Sequence, residues 1–385
     1  MLINILFLTI AIFYTVLIIT FWIGWQNTLA FSPESKSSPE EHGILLSVII
    51  PFRNEKNNLE ALINSLAQQD YPEELHEFIF IDDHSEDNSI QLLKKLTEKI
   101  NNIKILHNGK KETGKKSALL KGISHAQGKI IVQTDADCKM GNNWLSTIAA
   151  FYNKHNPSML LSPVVLTGQK NILQTFQEFE SAALITTTCG SAYFKKPILA
   201  NGANMSYKKE IIEKNKDPFK ISIPSGDDIF LLQTLINKHE GEVKFLKAKD
   251  AAVYTEACNN FNEIKSQKKR WLQKSKHYKN KNVTIDGMIA FSGNLVVILS
   301  LIMSIATSGW WIFSLVFSLK IFADSLAILS PMIFFKRRLS LHSLFISHLI
   351  YPVYTIWLVV IAFKGNNEWK NRKTGERLQP YDKIH

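Results

Sequence analysis

Asp135 and Asp137 stand on alternate residues directly after an apolar run, a pairing of hard oxygen donors that suits a divalent cation such as Mg²⁺ or Mn²⁺. Such a cation accepts one or two carboxylates and keeps positions for phosphate oxygens and water, so its natural use is to offset charge on a leaving diphosphate. An Asp-x-Asp pair alone is weak evidence. Two further polar clusters also follow apolar runs: Arg53-Asn54-Glu55 after residues 46–51, and Asp82-Asp83-His84-Ser85 after residues 78–81. Each has a plain reading, because Asn54 or the Asp82 to Ser85 group would serve as a helix cap. Acidic ends on several runs at once, in a chain of net charge +11, instead point to one site for a cation and a nucleotide. Gly109 and Gly114-Lys115 have the spacing of a Gly-x-x-x-x-Gly-Lys loop, but Lys116 stands where that loop needs Ser or Thr, and no Gly-x-Gly-x-x-Gly follows a strand, which disfavours a P-loop NTPase and a dinucleotide dehydrogenase.

The elements that must carry these clusters alternate. Apolar runs at 46–51, 78–81, 103–106 and 130–133 are separated by helical spacing at 57–68, 90–100 and 115–126. Buried runs joined by helices imply βαβ units and an α/β fold with a mainly parallel central sheet. Ligands bind such sheets beyond the carboxyl ends of the strands, where the acidic clusters fall.

The flanks differ from this middle. Residues 1–31 carry no Asp, Glu, Lys or Arg, and 2–23 alone exceed the ~20 residues that cross a bilayer. A transmembrane helix over 1–25 is expected; the rival, a cleaved signal peptide, lacks a basic start and has only Thr28-Leu29-Ala30 as a weak cleavage site. A polar linker, rich in Ser, Pro and Glu, should close the stretch 26–43, and the α/β domain should run over 44–264. Between Lys265 and Lys281 lie eight basic residues and no acidic one, an interfacial basic helix over 265–284 whose charge marks the cytoplasmic face. Apolar stretches at 285–307, 310–335 and 341–363 form a membrane region of two to three spans, followed by a basic tail at 364–385. Three full crossings would put that tail outside, against the charge rule, so one stretch is open to a re-entrant reading. Lys320 and Asp324, four apart, read as an internal ion pair ahead of any channel role.

Cys138, Cys189 and Cys258 form no Cys-x-x-Cys pair and no even framework, which speaks against structural zinc and disulfides and for a reducing cytosol around the soluble part. His84, His107, His125, His155, His239 and His277 show no ligand spacing. The segment 172–185 reads as an amphipathic helix, near a membrane or in a core.

Four elements in order, Pro51-x-x-Asn54-Glu55, Asp82-Asp83-x-Ser85-x-Asp87, Gly114-Lys115-Lys116-Ser117-Ala118-Leu119 and Asp135-x-Asp137, followed by Asn201-Gly202-Ala203-Asn204-Met205, Gly226-Asp227-Asp228-Ile229-Phe230-Leu231 and Gln267-Lys268-Lys269-Arg270-Trp271, carry a resemblance. Over residues 47–279 the chain resembles the membrane-integrated branch of the family 2 inverting glycosyltransferases with a GT-A fold. That branch includes ceramide and carotenoid glycosyltransferase-like enzymes and cellulose, chitin and hyaluronan synthase-like ones. The resemblance implies that Pro51, Asn54, Glu55, Asp82, Asp83 and Lys115 hold the nucleotide, that Asp135 and Asp137 take the metal and diphosphate, and that Gly202 and Asn204 line the acceptor side. Asp228 aligns with the base that deprotonates the acceptor hydroxyl, and Asp227 stands where the family has Glu. Gln267, Arg270 and Trp271 fall on the Gln-x-x-Arg-Trp motif; without the other elements they would read as an ordinary juxtamembrane basic helix.

The chemistry fits those residue types, since an inverting transfer needs one base at the acceptor and one charge-neutralising group at the diphosphate. The expectation is an integral membrane enzyme of the cell membrane, its catalytic domain cytoplasmic, taking a nucleotide-sugar donor, UDP-linked, to a lipid hydroxyl, with a processive polysaccharide acceptor as the alternative. No nucleic-acid partner is expected, because a non-catalytic basic tether would account for the charge but not for the ordered acidic strand ends. The sequence is silent on oligomeric state.

Overall fold

The computed structural model describes residues 1–33, 43–109, 112–168, 171–223, 225–238, 241–275, 277–278, 280–363, 367–369 and 372–374. The polar linker at 34–42 and most of the 364–385 tail lie outside the described residues. The chain divides into two compact units, one built on Leu29–Val165 and Leu199–Glu256, the other on Met1–Thr28, Leu166–Ile198 and Ala257–Glu368.

The first unit is an α/β sheet domain. In chain order come β1 (Leu46–Phe52), α2 (Lys56–Ala67), β2 (His76–Asp82), α3 (Ser89–Thr97), β3 (Ile103–His107), α4 (Lys115–His125) and β4 (Ile130–Thr134), with α1 (Leu2–Asn27) belonging to the other unit. β5 (Cys138–Met140), α5 (Trp144–His155), β6 (Met159–Leu161) and β7 (Val164–Thr167) follow; after the excursion of α6 (Ile172–Tyr193) come β8 (Asn204–Lys208), α7 (Lys209–Lys214), α8 (Asp227–Lys238), β9 (Val243–Phe245) and β10 (Val253–Glu256). Seven strands make one sheet in the order β3-β2-β1-β4-β8-β6-β9. β1 pairs in parallel with β2 and β4, β2 with β3, and β6 with β9, while β8 runs antiparallel between β4 and β6. The sheet is therefore mainly parallel, as the alternation of runs and helices implies.

Every residue of β1, β2 and β4 is buried, which is why these strands read as continuous apolar runs rather than as alternating ones. The face of α2 that packs on the sheet is Leu59, Leu62, Ile63 and Leu66, spaced i, i+3, i+4 and i+7. At the amino ends of the strands Ser47 donates to Glu77 at 2.6 Å, Lys104 joins Glu77 at 2.7 Å, and the amides of Gln127 and Gly128 close on Glu77 and Ser47 at 2.6 and 2.8 Å. That end is sealed by its own hydrogen bonds. The carboxyl ends are left for the site.

The second unit is helical. It contains α1, α6, α9 (Phe261–Ser275), α10 (Lys281–Thr307), α11 (Trp311–Phe334) and α12 (Leu341–Phe363). Among the described residues four helices are long and apolar enough to cross a bilayer: Leu2–Asn27, Lys281–Thr307, Trp311–Phe334 and Leu341–Ile361. Each C-terminal stretch, including the one open to a re-entrant reading, is a single unbroken helix.

Helix α6 runs through the Thr186 to Gly190 segment and crosses α1 at a point where no side chain fits. A Cβ on Gly190 would sit 2.2 Å from the Phe21 carbonyl oxygen, and one on Gly24 would sit 2.6 Å from the Gly190 Cα. Two carboxylates on α6 are paired: Glu178, 2% exposed, with Arg337 at 3.2 Å, and Glu180 with Lys268 of α9. At the start of α9, Asn260 Oδ1 accepts the Glu263 N–H and Glu263 reaches back to the Asn259 N–H, both at 3.0 Å, a capping box that fixes where the helix begins.

Candidate active site

β1, β2 and β4 end side by side, and the acidic clusters leave the sheet together there. The caps suggested for Asn54 and for Asp82 and Asp83 are not what these residues do. Asn54 lies in the left-handed region at φ 52, its N–H donates to Ser85 Oγ at 3.0 Å, and its Oδ1 accepts the Glu86 N–H at 2.8 Å. The loop after β1 is thereby stitched to the loop after β2. Glu55 and Lys56 continue the seam, their N–H groups donating to Ser89 Oγ at 2.9 Å and Asp87 Oδ2 at 3.1 Å.

Asp82, 4% exposed, closes its own turn by accepting the Ser85 N–H at 3.0 Å. Asp83, 1% exposed, accepts the Gly114 N–H at 3.0 Å on both oxygens and the Asn108 amide at 2.9 Å. Gly114 makes this possible with φ 100, which an L side chain rarely adopts. Asp83 thus sets the start of α4, and with it Lys115. Pro51, inside β1, stands opposite Ile81 of β2 and is buried.

Lys115 is the hub of the site. Its ammonium lies 2.6 Å from Asp135 Oδ1 and 3.8 Å from Asp227 Oδ2, and Asp227 also accepts from Gln133 Nε2 at 2.6 Å. Burial alone would push the Lys115 ammonium down, but Asp135, Asp227 and Asp228 together outweigh it and hold it above the ordinary lysine value. Gly202 lies against the same three side chains: a Cβ there would come within 2.9 Å of Asp227 Oδ2, 2.9 Å of Gln133 Nε2 and 3.3 Å of Lys115 Nζ.

Asp227 and Asp228 open α8, where the helix N-terminus favours negative charge. Asp227 is buried and bonded inward; Asp228 is half-buried, with Oδ1 accepting the N–H of Ile229 at 2.7 Å.

Asp137 exposes part of its surface to solvent while its carboxyl lies in among neighbouring groups, and that carboxyl is pushed up to about 6, first by this desolvation and then by the charges of Asp135 and Glu55. A cation at this spot would relieve that crowding, so the carboxylates present fit a divalent metal. Among the described residues no group of three His, Cys, Asp or Glu is placed to hold a metal ion. The fit is therefore that of a cation completed by phosphate oxygens and water rather than caged by protein.

Asn204 is spent internally. Its amide nitrogen donates to the carbonyls of Pro163 and Ala251 at 2.8 Å each, and its oxygen accepts the Trp144 indole N–H at 3.1 Å. Its own N–H donates to the Asn201 carbonyl at 3.1 Å, closing the turn that contains Gly202, and the residue is 1% exposed. Gln267, Arg270 and Trp271 lie on α9 in the helical unit. Burial lowers the pKa of Arg270, and Trp271, 40% exposed, carries the Lys268 ammonium 4.3 Å from its ring centre.

Three residues to which the sequence assigned no role complete the cluster: Gln133, Asn108 and Lys116, the last lying within the Gly114 to Leu119 element. Gln133 had a legible signal, being the one amide in the run Ile-Ile-Val-Gln-Thr and 0% exposed.

A mainly parallel sheet whose carboxyl ends gather Lys115, Asp135, Asp137, Asp227 and Asp228 defines a GT-A nucleotide-sugar fold. Residues 47–216 match the model of glycosyl transferase family 2. A solved mannosyltransferase from Pyrobaculum calidifontis, in complex with GDP-Man and Mn²⁺, shares the fold at TM-score 0.59 and 14% identity, over 94% of this chain and 96% of that one. The poly(ribitol-phosphate) beta-N-acetylglucosaminyltransferase of Staphylococcus aureus is 25% identical over 203 residues, 52% of this chain and 34% of that protein. The 4,4'-diaponeurosporenoate glycosyltransferase of Staphylococcus haemolyticus is 25% identical over 173 residues, 45% of this chain and 44% of that protein. The beta-monoglucosyldiacylglycerol synthase of Synechocystis is 27% identical over 148 residues, 34% of this chain and 31% of that protein. The chain thus matches between 31% and 44% of the length of these curated relatives.

Proposed function

We propose that the protein is a membrane-bound inverting glycosyltransferase that moves a sugar from a UDP-sugar to the hydroxyl of a membrane lipid. The observation that carries this reading is the Lys115, Asp135 and Asp227 cluster beside Asp228, a cation and carboxylates gathered at the strand ends. In this reading Asp83 and the loop at Asn54 and Glu55 hold the nucleoside, and Lys115 swings from Asp135 to the diphosphate. Asp228 accepts the proton of the acceptor hydroxyl. The freed oxygen pair attacks the anomeric carbon from the face opposite the diphosphate, and the carbon–oxygen bond to phosphate breaks with its electrons on the leaving group. Asp137 and Asp135 would hold Mg²⁺ or Mn²⁺, whose charge offsets that of the leaving diphosphate.

The lipid acceptor is supported by four bilayer-length helices and by relatives named for a carotenoid and a diacylglycerol product. The packing of α1 against α6, α10 and α11 supports a retained span over 1–25 rather than a removable leader. Basic residues between 265 and 281 and at Lys336-Arg337-Arg338 support a cytoplasmic catalytic domain.

The test is to incubate membranes holding the protein with labelled UDP-glucose, UDP-galactose and UDP-N-acetylglucosamine plus Mg²⁺ or Mn²⁺. Label in the organic phase is expected; label in alcohol-insoluble material would replace the lipid by a polysaccharide acceptor. Asp137→Ala should weaken metal-dependent UDP binding by about tenfold or more while leaving metal-free binding unchanged, as read by titration calorimetry. Equal metal dependence in the variant would move the cation elsewhere. Gly202→Ala should lower turnover by about tenfold or more, because its methyl presses on Asp227, Gln133 and Lys115 together; a fully active variant would remove this close approach from the mechanism.

A further inference from the structure

Lys116, the residue after Lys115 in the first turn of α4, is 3% exposed. Its ammonium donates to the carbonyl oxygens of Lys220 at 2.9 Å and Ile223 at 2.7 Å, and lies 4.7 Å from the ring centre of Phe230 in α8. The Lys220 ammonium approaches the same ring at 4.5 Å, and Phe230 is fully buried. Burying an ammonium is costly, and an apolar side chain of similar length would fill the same space without that cost. What the charge adds is direction: it fixes two carbonyls and one aromatic face at once.

Those carbonyls belong to a tight turn. Lys220 has φ 50, its N–H donates to the Asp217 carbonyl at 3.3 Å, the Ile221 N–H donates to Asp217 Oδ1 at 2.9 Å, and the Ile223 N–H returns to the Lys220 carbonyl at 3.0 Å. The chain then reaches Asp227 and Asp228 at the head of α8. Adjacent helix residues point about 100° apart, so Lys115 and Lys116 serve two partners from one turn. Lys115 takes Asp135 and Asp227; Lys116 takes the segment that delivers Asp227 and Asp228.

We propose that Lys116 is a positioning residue for sugar transfer, tying the 220–223 turn and α8 to the start of α4 so that Asp228 keeps its place relative to Lys115. This rests on the reading of Asp228 as the base. Lys116 touches neither donor nor acceptor in this scheme, so its loss should act on the transfer step and not on nucleotide binding. An error of about 1 Å in the position of a reacting group costs on the order of a hundredfold in rate.

The experiment compares Lys116→Met and Lys116→Arg with the wild-type full-length protein in detergent, measuring kcat, UDP affinity and amide hydrogen exchange. Lys116→Met should lower kcat by about ten- to a hundredfold, keep the Kd for UDP within about twofold, and raise exchange in residues 217–223 and the first turn of α8. Lys116→Arg, which restores charge and donors, should recover a large part of kcat. An unchanged kcat in Lys116→Met overturns the proposal. So does a loss of UDP affinity in step with kcat, or exchange that rises equally across β1, β2 and β4, because Lys116 would then support the fold as a whole. If the wild-type protein transfers no sugar from any donor, the function reading fails separately. The exchange data then decide the clamp: a local rise supports it, and an unchanged or uniform pattern overturns it.

Discussion

Asp228→Asn is expected to abolish sugar transfer, by about 10² to 10⁴-fold in kcat, while the Kd for UDP stays within about twofold. The substitution is nearly isosteric, and the Asn oxygen can keep the bond that Oδ1 accepts from the Ile229 N–H. What it removes is proton acceptance at the one half-buried carboxylate in the first turn of α8. The contacts on the nucleotide side are kept, because Asp83 with Gly114, Lys115 with Asp135, and Gln133 with Asp227 form them without it, and Asp135 and Asp227 remain the larger charges on Lys115. Asp227→Asn should behave differently. That side chain is buried, accepts from Gln133 and neighbours Lys115, so its change should weaken nucleotide binding and turnover together. Residual transfer above about a tenth of wild type in Asp228→Asn would move the base to another group. Kinetics and calorimetry on the same two purified variants separate these cases.

The parts of the fold that could be read from sequence are those where burial and periodicity agree. β1, β2 and β4 are buried along their whole length, and α2, α3 and α4 fall where apolar spacing places them. Strand β8 was not legible as a strand: Asn-Met-Ser-Tyr-Lys has no apolar run, and it is held as a strand by pairing on both edges, with β4 and β6. Helix α6 extends past the expected 172–185 segment because the contact of Gly190 with α1, not local propensity, sustains its Thr-rich end.

The site shows the same division. Acidic strand ends announce themselves by position, so Asp82, Asp83, Asp135 and Asp137 could be singled out. The roles of Gln133, Asn108 and Lys116 could not, since they act through hydrogen bonds spanning 94, 25 and 104 residues of chain, even where, as for Gln133, a polar residue in an apolar run marks the position. Asn204 shows the converse: its motif was visible, yet its side chain is consumed by Pro163, Ala251 and Trp144, none of which the motif contains.

The second large effect is expected in the helical unit, where the Lys320 and Asp324 spacing read as an ion pair becomes a larger polar cluster. Lys320 of α11 pairs with Asp324, which also accepts from Tyr14 of α1 at 2.5 Å. Tyr14 in turn packs against Gly293 of α10, where a Cβ would lie 2.4 Å from its ring, and His348 of α12 stands 3.9 Å from Asp324. All four bilayer-length helices meet at this one point. Asp324→Leu leaves a lysine that is 2% exposed without its carboxylate, and should cost about 3–5 kcal/mol. Tyr14→Phe removes the bond donated to Asp324 and a longer one accepted from the Lys320 ammonium at 3.4 Å, and should cost about 1–2 kcal/mol. The double variant Lys320→Met with Asp324→Leu should regain most of the loss, because two ions that neutralise each other in a low-dielectric interior can be replaced together by apolar groups of similar size. Unfolding in detergent, followed by thiol labelling of Cys189, which is fully buried on α6, reads the helical unit directly. A double variant as unstable as Asp324→Leu would show that the pair does more than neutralise itself, and would turn attention to what the cluster binds.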